Sequence, residues 1–452
     1  MADGQTLGIE RIGSSERIAS LDVLRGIAIL FILFMNIPGM GLPSFDLHDP
    51  RWPSWTASDQ RLWWVQQVFL DGTQRGMLEL LFGAGILIMA RKAMTADGPV
   101  EVADLHFRRN LLLCVLGLVN AFLLLWWGDI LLVYGIAATF LFAFRKLDAR
   151  ALLGWAALFF VGLVVFSYSN YDQGVQSRAA YERVQAATAA HRPVSADDKK
   201  LAEPFGERLT SLHTLPAADK KQADKARKAV AQHNSGFAGY WSGVAGYWLQ
   251  IMGFFWIIEA EIVGTMLVGM ALYRLGVIQG LARTRVYVAL LVGGYAFGLP
   301  LRAIPSSDFI NAIPGPHWEG ILYDLSRLGV VIGHVALVQL VLRARVGRTL
   351  LQPFQAAGRM PLTVYLFTSL LMMWLVFAPW GLNMYGKLGF TALMDLAAAV
   401  IIGELAAANL WLRHFASGPC EWVWKSLAYQ RRMPFRKASG GTEVPPGLVP
   451  AG

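Results

Sequence analysis

Residues 18–40 read IASLDVLRGIAILFILFMNIPGM, an apolar run that contains one acid and one base. About 20 mostly apolar residues are enough for a helix to cross the hydrocarbon core of a bilayer. The chain contains further runs of this kind, at residues 63–90, 105–125, 129–144, 151–168, 247–273, 286–302, 318–342, 360–380 and 390–412. The sequence therefore predicts an all-α, polytopic bundle of about ten transmembrane helices.

The composition of the whole chain supports a membrane protein. Of its 452 residues, 55% are hydrophobic and only 16% are charged, whereas soluble domains carry about 25% charged residues. Disordered, collagen-like, coiled-coil and disulfide-scaffold classes are excluded together. The two cysteines lack the spacing of a metal or redox motif, so no metal is expected. The net charge of +9 is typical of basic cytoplasmic loops, and nucleic acid is not expected as a partner.

The distribution of Lys and Arg between short loops predicts the orientation. Basic residues concentrate at 91–92, 108–109, 145–150, 274–285 and 343–348, whereas the alternate connections are poor in them. Because such loops face the cytoplasm, we expect a multi-pass protein of a bacterial inner membrane with both termini inside. Its predicted parts are a cytoplasmic N-terminus (1–17), five spans (18–169), a helical extracytoplasmic insert (170–246), five spans (247–412), and a cytoplasmic tail (413–452), amphipathic and then disordered.

Within the insert, residues 173–190 and 217–232 are predicted helices, which Pro193, Pro204 and Pro216 interrupt. The runs at 63–90 and 247–273 are long and contain charges. Each is interpreted as one long span or as an interfacial helix followed by a shorter span.

Charged side chains inside the spans are the main candidates for function, because each costs about 2.5–3.5 kcal/mol to insert. Asp22 and Arg25 are three residues apart, as are Asp324 and Arg327, and the members of each pair are predicted to form an ion pair. Asp71, Arg75 and Glu79 follow at intervals of four, so one helix stripe is expected to carry all three. The alternative is a set of structural ion pairs. The intramembrane candidates are Glu79, Glu259, Glu261, Arg302, His317, Asp324 and Arg327.

No Walker loop, HExxH or GxSxG motif is present. Asp129 follows Trp126-Trp127-Gly128, where its carboxylate either caps a helix or takes part in chemistry. A histidine is the usual base when a group is transferred near neutral pH.

Several short motifs carry a family resemblance. They are the opening Asp22-Val-Leu-Arg25-Gly26 with Asn36 downstream, LFGAG (81–85), WWGDIL (126–131), and C-terminal blocks at 358–365 and 418–429. Together they resemble the YeiB-like family of bacterial inner-membrane proteins. That resemblance implies the architecture more than an activity, because the family is described as one of unknown function.

The opening motif is also similar to that of membrane acyltransferases of the heparan-α-glucosaminide N-acetyltransferase type. This similarity implies acyl-CoA or acetyl-CoA as a cytoplasmic co-substrate and a sugar, lipid or small-molecule acceptor across the membrane. It implies His48 as the base, with Asn36 or Asp129 orienting it, and Asp22 and Arg25 on the route of the CoA phosphates. One departure is Asn120, where family members often have histidine.

Other functions stay open. A transporter or exporter of a small molecule or lipid precursor also fits broken helices and intramembrane charges. A sensor whose insert binds a ligand is a third hypothesis. Membrane lipids are expected partners, and the oligomeric state, including a homodimer, stays open.

Overall fold

The computed structural model describes residues 14–43, 50, 55–90, 100–213 and 220–437. Across these residues the chain forms helices joined by turns, with an isolated β-bridge between Phe415 and Arg436. The predicted all-α class is confirmed. The helices before the insert are α1 (Ser14–Gly41), α2 (Ala57–Val65), α3 (Thr73–Ala90), α4 (Val100–Phe122) and α5 (Leu131–Leu141).

The insert is helical, as predicted, and its first helix is continuous with the predicted fifth span. Helix α6 (Ala149–Ala189) continues through residue 170 as one element of 41 residues, about 61 Å long at 1.5 Å per residue. A bilayer core is only about 30 Å thick, so α6 extends well beyond it. The other insert helices are α7 (Ala196–His213), α8 (Lys220–His233) and α9 (Phe237–Met252).

Pro204 does not interrupt its helix, contrary to the prediction, because it lies inside α7. A proline in a helix interior normally breaks the hydrogen-bond ladder. Here the amide of the next residue, Phe205, donates to Ser177 Oγ on α6 at 3.1 Å. Helix α7 packs along α6, and this contact supports it where its own ladder is interrupted.

The second half of the bundle follows the insert. Its helices are α10 (Phe255–Arg274), α11 (Thr284–Ile310), α12 (Tyr323–Arg343), α13 (Arg345–Leu351), α14 (Phe354–Arg359), α15 (Pro361–Leu370), α16 (Phe390–His414) and α17 (Pro419–Ala428). The run at 247–273 is divided at Gly253, between α9 and α10. The run is therefore two helices rather than one long span, and an interfacial position of the first helix stays a prediction.

Six described helices are long and apolar enough to cross a membrane, and Pro361–Val376 is a shorter apolar helix. The six segments are Ala19–Gly41, Ala149–Ala189, Phe255–Arg274, Thr284–Ile310, Trp318–Arg343 and Phe390–His414. The chain is thus a multi-pass membrane protein. The remaining predicted spans correspond to α3, α4 and α5, and a total of ten stays a prediction.

Helix α1 packs most closely against α14, which follows it by more than 300 residues. A Cβ on Gly26 would overlap the Phe354 carbonyl, and one on Gly358 would overlap the Asp22 carbonyl. Small residues allow helix backbones to approach in membranes, where dispersion contacts hold helices together. This contact brings the Asp22 and Arg25 region against the C-terminal part of the chain.

The predicted second span is broken rather than continuous. A π-helical turn, Gln66–Leu70, ends at Asp71, and Gly72 adopts φ +66° before α3 begins. Arg302 on α11 satisfies the exposed carbonyls, since its Nη2 donates to Gln67 O at 2.6 Å and to Asp71 O at 2.7 Å. Asp71 therefore lies outside the helix of Arg75 and Glu79, and the predicted stripe of three is wrong.

Candidate functional site

Four charged side chains form an ion-pair cluster in the core of the bundle: Arg75, Glu79, Glu261 and Arg327. Arg327 and Glu79 have side chains with 0% exposure, and their Nη2 and Oε2 atoms lie 3.5 Å apart. Arg327 also pairs with Glu261. Arg75 Nη2 contacts Glu261 Oε2 at 2.7 Å, and its Nε contacts Glu79 Oε1 at 3.5 Å. Two positive and two negative charges thus balance.

Hydroxyl groups complete the cluster. Thr265 Oγ1 accepts from Arg327 Nη2 at 3.2 Å and donates to Glu261 Oε1 at 3.1 Å. Tyr134 on α5 donates to the Arg75 carbonyl at 2.9 Å. Buried charges are tolerated when they are paired and hydrogen-bonded. The cluster therefore joins α3, α5, α10 and α12.

The predicted pairing of Asp324 with Arg327 is wrong. Arg327 turns toward Glu79 and Glu261, whereas Asp324 lies half-buried one turn earlier on α12. Helix spacing brings the two residues to one face, but the two glutamates on α3 and α10 offer Arg327 a balanced set of partners. Arg302 and His317 pair elsewhere, with Asp71 at 3.3 Å and Asp308 at 3.3 Å.

Glu259 and Glu261 point to different faces of α10, as two residues so spaced in a helix must. Both are buried, but only Glu261 belongs to the ion-pair cluster. The Oε1 atom of Glu259 is buried and has no hydrogen-bond partner among the described residues. Glu404 on α16 is also buried, and it accepts from Thr368 Oγ1 on α15 at 2.6 Å.

A cavity of about 330 Å³, here called the Arg25 cavity, lies beside the N-terminal half of α1. Its basic lining residues are Arg25, Arg109, Arg359 and Lys425. Apolar side chains of α3, among them Leu78, Leu81, Phe82 and Ile86, form another wall. The cavity extends to Ile130, Tyr134 and Tyr365. It combines a cationic region with an apolar wall.

Asp22 and Arg25 form the ion pair expected from their spacing, with Nη1 and Oδ1 2.8 Å apart. Arg25 also donates to the Gly358 carbonyl at 3.0 Å. Glu421, an acid in the cavity lining, accepts from the Leu362 and Thr363 amides at 2.6 and 3.0 Å. These contacts attach α17 to the start of α15 and hold the basic residues around the cavity.

Asp129 directly precedes Ile130, which lines the Arg25 cavity. It caps α5, as predicted, because its Oδ2 accepts from the Leu132 amide at 2.9 Å. Its other oxygen accepts from Asn120 Nδ2 at 2.9 Å. Tyr365 is adjacent, since its hydroxyl accepts from the Ile130 amide at 3.3 Å. Asn120 therefore holds Asp129 in place.

A second cavity, of about 240 Å³, lies at the C-terminal end of α1 and is called the Tyr385 cavity. It is lined by Gly39 and Met40 of α1, by Trp127, and by α8 and α9 of the insert. His233 closes one side, where its ring stacks on Tyr385 at 3.8 Å and its Nε2 bonds to the Phe377 carbonyl at 2.8 Å. Burial lowers the pKa of His233, so the imidazole is neutral.

The two cavities lie near opposite ends of α1. Arg25 and Gly39 are 14 residues apart in one helix, which places them about 21 Å apart along the bundle. The segment Trp126-Trp127-Gly128-Asp129 separates the cavities. Trp127 lines one cavity, and Ile130 lines the other. Asp129 therefore lies where the two cavities come closest in the chain.

His48 lies outside the described residues, so its predicted role as a base is not tested. Asn36 is half-buried on α1, one turn before the Tyr385 cavity. Three of the membrane-region histidines are hydrogen-bonded inside the bundle or to an acid: His106 with the Ala138 carbonyl, His334 with Tyr295, and His317 with Asp308. No group of three potential metal ligands occurs within the described ranges.

Sequence reasoning missed several residues of these sites. The sequence places Arg109 only in a basic loop, and it indicates no site for Arg359, Lys425 or His233. Their signal is weak, because loop arginines are common and the cavity forms only when α17 folds back onto α4 and α15. His233 could have been noticed because it lies just before residues 237–248, a segment rich in Phe, Tyr and Trp.

Comparisons with known proteins show what the chain is similar to. A family model described as "Protein of unknown function (DUF418)" matches residues 272–431. The uncharacterized protein YxaH of Bacillus subtilis is 27% identical over 94% of this chain and 97% of its own length. The uncharacterized protein YeiB of Escherichia coli is 25% identical over 93% and 98%. No solved structure matches this chain. The resemblance predicted from the motifs is confirmed, since the chain is similar over almost its whole length to uncharacterized bacterial proteins of the YeiB-like type.

Proposed function

We propose that this protein is a membrane acyltransferase that uses an acyl-CoA donor in the Arg25 cavity and an acceptor in the Tyr385 cavity. The observation that carries the proposal is that two cavities lie near opposite ends of α1, with Asp129 in sequence between Trp127, which lines one, and Ile130, which lines the other. A two-sided transfer needs a donor route, an acceptor route and a polar group between them. The bundle offers a candidate for each of the three.

The Arg25 cavity suits the donor by its chemistry. Arginine guanidinium groups recognise phosphate through parallel hydrogen bonds, and the cavity presents Arg25, Arg109 and Arg359 together with Lys425. Its apolar α3 wall suits an acyl chain. A CoA thioester combines these features, an anionic phosphate region and an acyl group at the other end.

The reaction would proceed by attack of an acceptor hydroxyl or amine on the thioester carbonyl. The new bond to the acyl carbon forms as the carbon–sulfur bond breaks, and the CoA thiolate leaves. A base must take the proton of the acceptor, and that proton can then neutralise the thiolate. We assign the base to His48 and its orientation to Asp129, which Asn120 and the Leu132 amide already fix.

Binding of the donor is tested with two adjacent arginines of α4. Arg109 lines the cavity, with its guanidinium 4.4 Å from the Trp424 ring centre. Arg108 faces away and pairs with Asp104 at 2.5 Å. Acetyl-CoA should raise the melting temperature of the purified protein. Arg109→Gln should weaken that binding about tenfold, the worth of one charge-assisted contact, and Arg108→Gln should not. Equal binding by both variants would contradict the donor site.

The role of His48 is tested by turnover. His48→Ala should lower acyl transfer by about 10²–10⁴-fold, the usual contribution of a general base, while acetyl-CoA still stabilises the protein. His191→Ala removes an exposed histidine of the insert and should leave the rate unchanged. Wild-type turnover by the His48 variant would remove this residue from the mechanism.

The ion-pair cluster favours a second candidate, a proton- or ion-coupled transporter. Intramembrane acids and broken helices are typical of such proteins, and the chain has buried Glu79 and Glu261 next to the break at Gly72. If this hypothesis holds, the protein in proteoliposomes should carry a solute across the membrane in a proton- or ion-dependent way, without added CoA. Glu79→Gln should then abolish the flux, whereas it should leave acetyl-CoA binding unchanged.

A further inference from the structure

A third cavity, of about 970 Å³, lies at the same end of the bundle as the Arg25 cavity. It is named the Gln279 cavity and is formed by α1, the turn between α10 and α11, the end of α12, and α13. Three arginines line it, Arg283, Arg343 and Arg348, and none of its described lining residues is a carboxylate. Its volume is at the upper end of the range of small-molecule sites.

Helix α1 separates the Gln279 cavity from the proposed donor site. Ala19, Ser20 and Val23 face the Gln279 cavity, whereas Arg25 and Ile29 face the Arg25 cavity. Val23 and Arg25 are two residues apart and so point about 200° apart around the helix. The two cavities have no lining residue in common, and a ligand of one is not thereby a ligand of the other.

The cationic side of the Gln279 cavity is held in place before any ligand binds. Arg343 donates to the Ala282 carbonyl and to Thr284 Oγ1, and its guanidinium lies 4.9 Å from the Tyr287 ring centre. Tyr287 is fully buried and donates to the Val277 carbonyl at 2.7 Å. Because these contacts fix the guanidinium, less rotamer freedom is lost when an anion binds.

The uncharged side of the cavity contains Gln279, whose side-chain amide also points to a ligand. Gln279 donates its Nε2 hydrogen to the Tyr273 carbonyl at 2.6 Å, which fixes the amide. Its Oε1 atom is buried and has no hydrogen-bond partner among the described residues. A buried acceptor without a partner costs free energy, so a ligand that donates a hydrogen bond there gains that contribution. Further glutamines of the lining offer both donors and acceptors.

We propose that the Gln279 cavity binds a ligand that carries both a phosphate group and a hydroxyl or amine. The arginines bind the phosphate, since a planar guanidinium matches phosphate oxygens. Gln279 Oε1 accepts from the hydroxyl or amine. Two sources share this chemistry, a soluble nucleotide and the headgroup of an anionic phospholipid such as phosphatidylglycerol. The size of the cavity fits a ligand of this class and exceeds what a bare phosphate would fill.

The test uses two double variants of the full chain that lose the same charge. Arg283→Gln with Arg348→Gln removes two exposed arginines of the lining. Arg285→Gln with Arg345→Gln removes two exposed arginines close by in sequence that do not line the cavity. One arm measures equilibrium binding of ADP and of pyrophosphate in neutral detergent. The other measures phosphatidylglycerol retained by the protein, by native mass spectrometry, against phosphatidylcholine.

We expect one of the two arms to show saturable binding that falls about 100-fold in the lining variant, about tenfold for each lost arginine contact. The control variant should change binding less than about threefold. ADP binding supports a nucleotide, and phosphatidylglycerol retention supports a lipid headgroup. Absence of binding in both arms, or equal losses in both double variants, overturns the proposal.

A variant without charge change separates the proposed site from general surface attraction. Gln279→Leu removes the buried acceptor but leaves every arginine in place. It should weaken binding of ADP or phosphatidylglycerol, whichever binds, and leave pyrophosphate binding unchanged. Arg108→Gln, which lies outside both cavities, should leave the binding unchanged as well. Unchanged ADP or phosphatidylglycerol binding in Gln279→Leu would remove Gln279 from the site and overturn the two-part ligand.

Discussion

Ion pairs inside the bundle and ion pairs on the insert use the same residue types in opposite surroundings. Arg327 and Glu79 meet with 0% exposure of both side chains. Arg178 and Glu182 on α6 meet at 3.0 Å with 50% and 62% exposure. In water an exposed pair contributes little to stability, whereas removal of one partner from a buried pair leaves a charge without compensation. The bundle and the insert should therefore respond very differently to similar substitutions.

The largest expected effect is at Arg327. Arg327→Met would leave Arg75 with two buried glutamates and should destabilise the bundle by about 3–5 kcal/mol. The measurement is the free energy of unfolding in a mixed-micelle denaturant titration. Arg178→Met on the insert is the matched control, and it should change that free energy by less than about 1 kcal/mol. Similar losses at the two positions would contradict the difference between the regions.

A double-mutant cycle sharpens the comparison within the bundle. Arg327→Met combined with Glu261→Gln restores charge balance, so the combined loss should be smaller than the sum by about 0.5–3 kcal/mol. Arg327→Met combined with Asp324→Asn should be close to additive, because Arg327 pairs with Glu79 and Glu261 instead. If the stability losses were strongly coupled between Arg327 and Asp324 and additive between Arg327 and Glu261, the observed pairing would be contradicted.

The smallest expected effect concerns the contact between insert and bundle at His233. Burial lowers the pKa of His233 in the folded protein. In the open chain the imidazole has the ordinary pKa of about 6.5. The open state therefore binds more protons, and docking of α8 is fully stable above about pH 6.5 and weakens as the pH falls below that value. The readout is hydrogen exchange of the α8 amides between pH 5 and 8, corrected for intrinsic rates.

His233→Gln provides the control for the pH effect. The glutamine amide can still donate to the Phe377 carbonyl but does not titrate in this range. Exchange of the α8 amides in this variant should be independent of pH after correction. Persistence of the full pH dependence would assign it to another group.

The architecture could be predicted from the sequence, but the pairing of its charges could not. Hydropathy predicts where apolar helices lie, because crossing a bilayer requires about 20 apolar residues in a row. Helix spacing predicts only neighbours in the same helix, so it joined Asp324 to Arg327. The actual partner Glu79 is 248 residues away, and nothing local signals it. The break at Gly72 similarly removed Asp71 from the stripe of Arg75 and Glu79.

The candidate site was predicted in part. Asp22 with Arg25 and the capping role of Asp129 follow from local spacing, and the structure confirms these contacts. The Arg25 cavity could not be predicted, since its basic lining comes from α1, α4, α14 and α17. Only tertiary packing brings Arg109 and Lys425 together. His48 falls outside the described residues, so its assignment stays a prediction.

The ion-pair cluster also has a consequence for how the protein is made. The ribosome releases α3 first, and Arg75 and Glu79 are four residues apart in that helix, so it carries its own counter-charge. Helix α10 then brings Glu261, and α12 brings Arg327 last. Arg327, the costliest side chain to leave in lipid, thus enters when both of its acidic partners have already been synthesised. The order of the helices in the gene places the acids before the base that needs them.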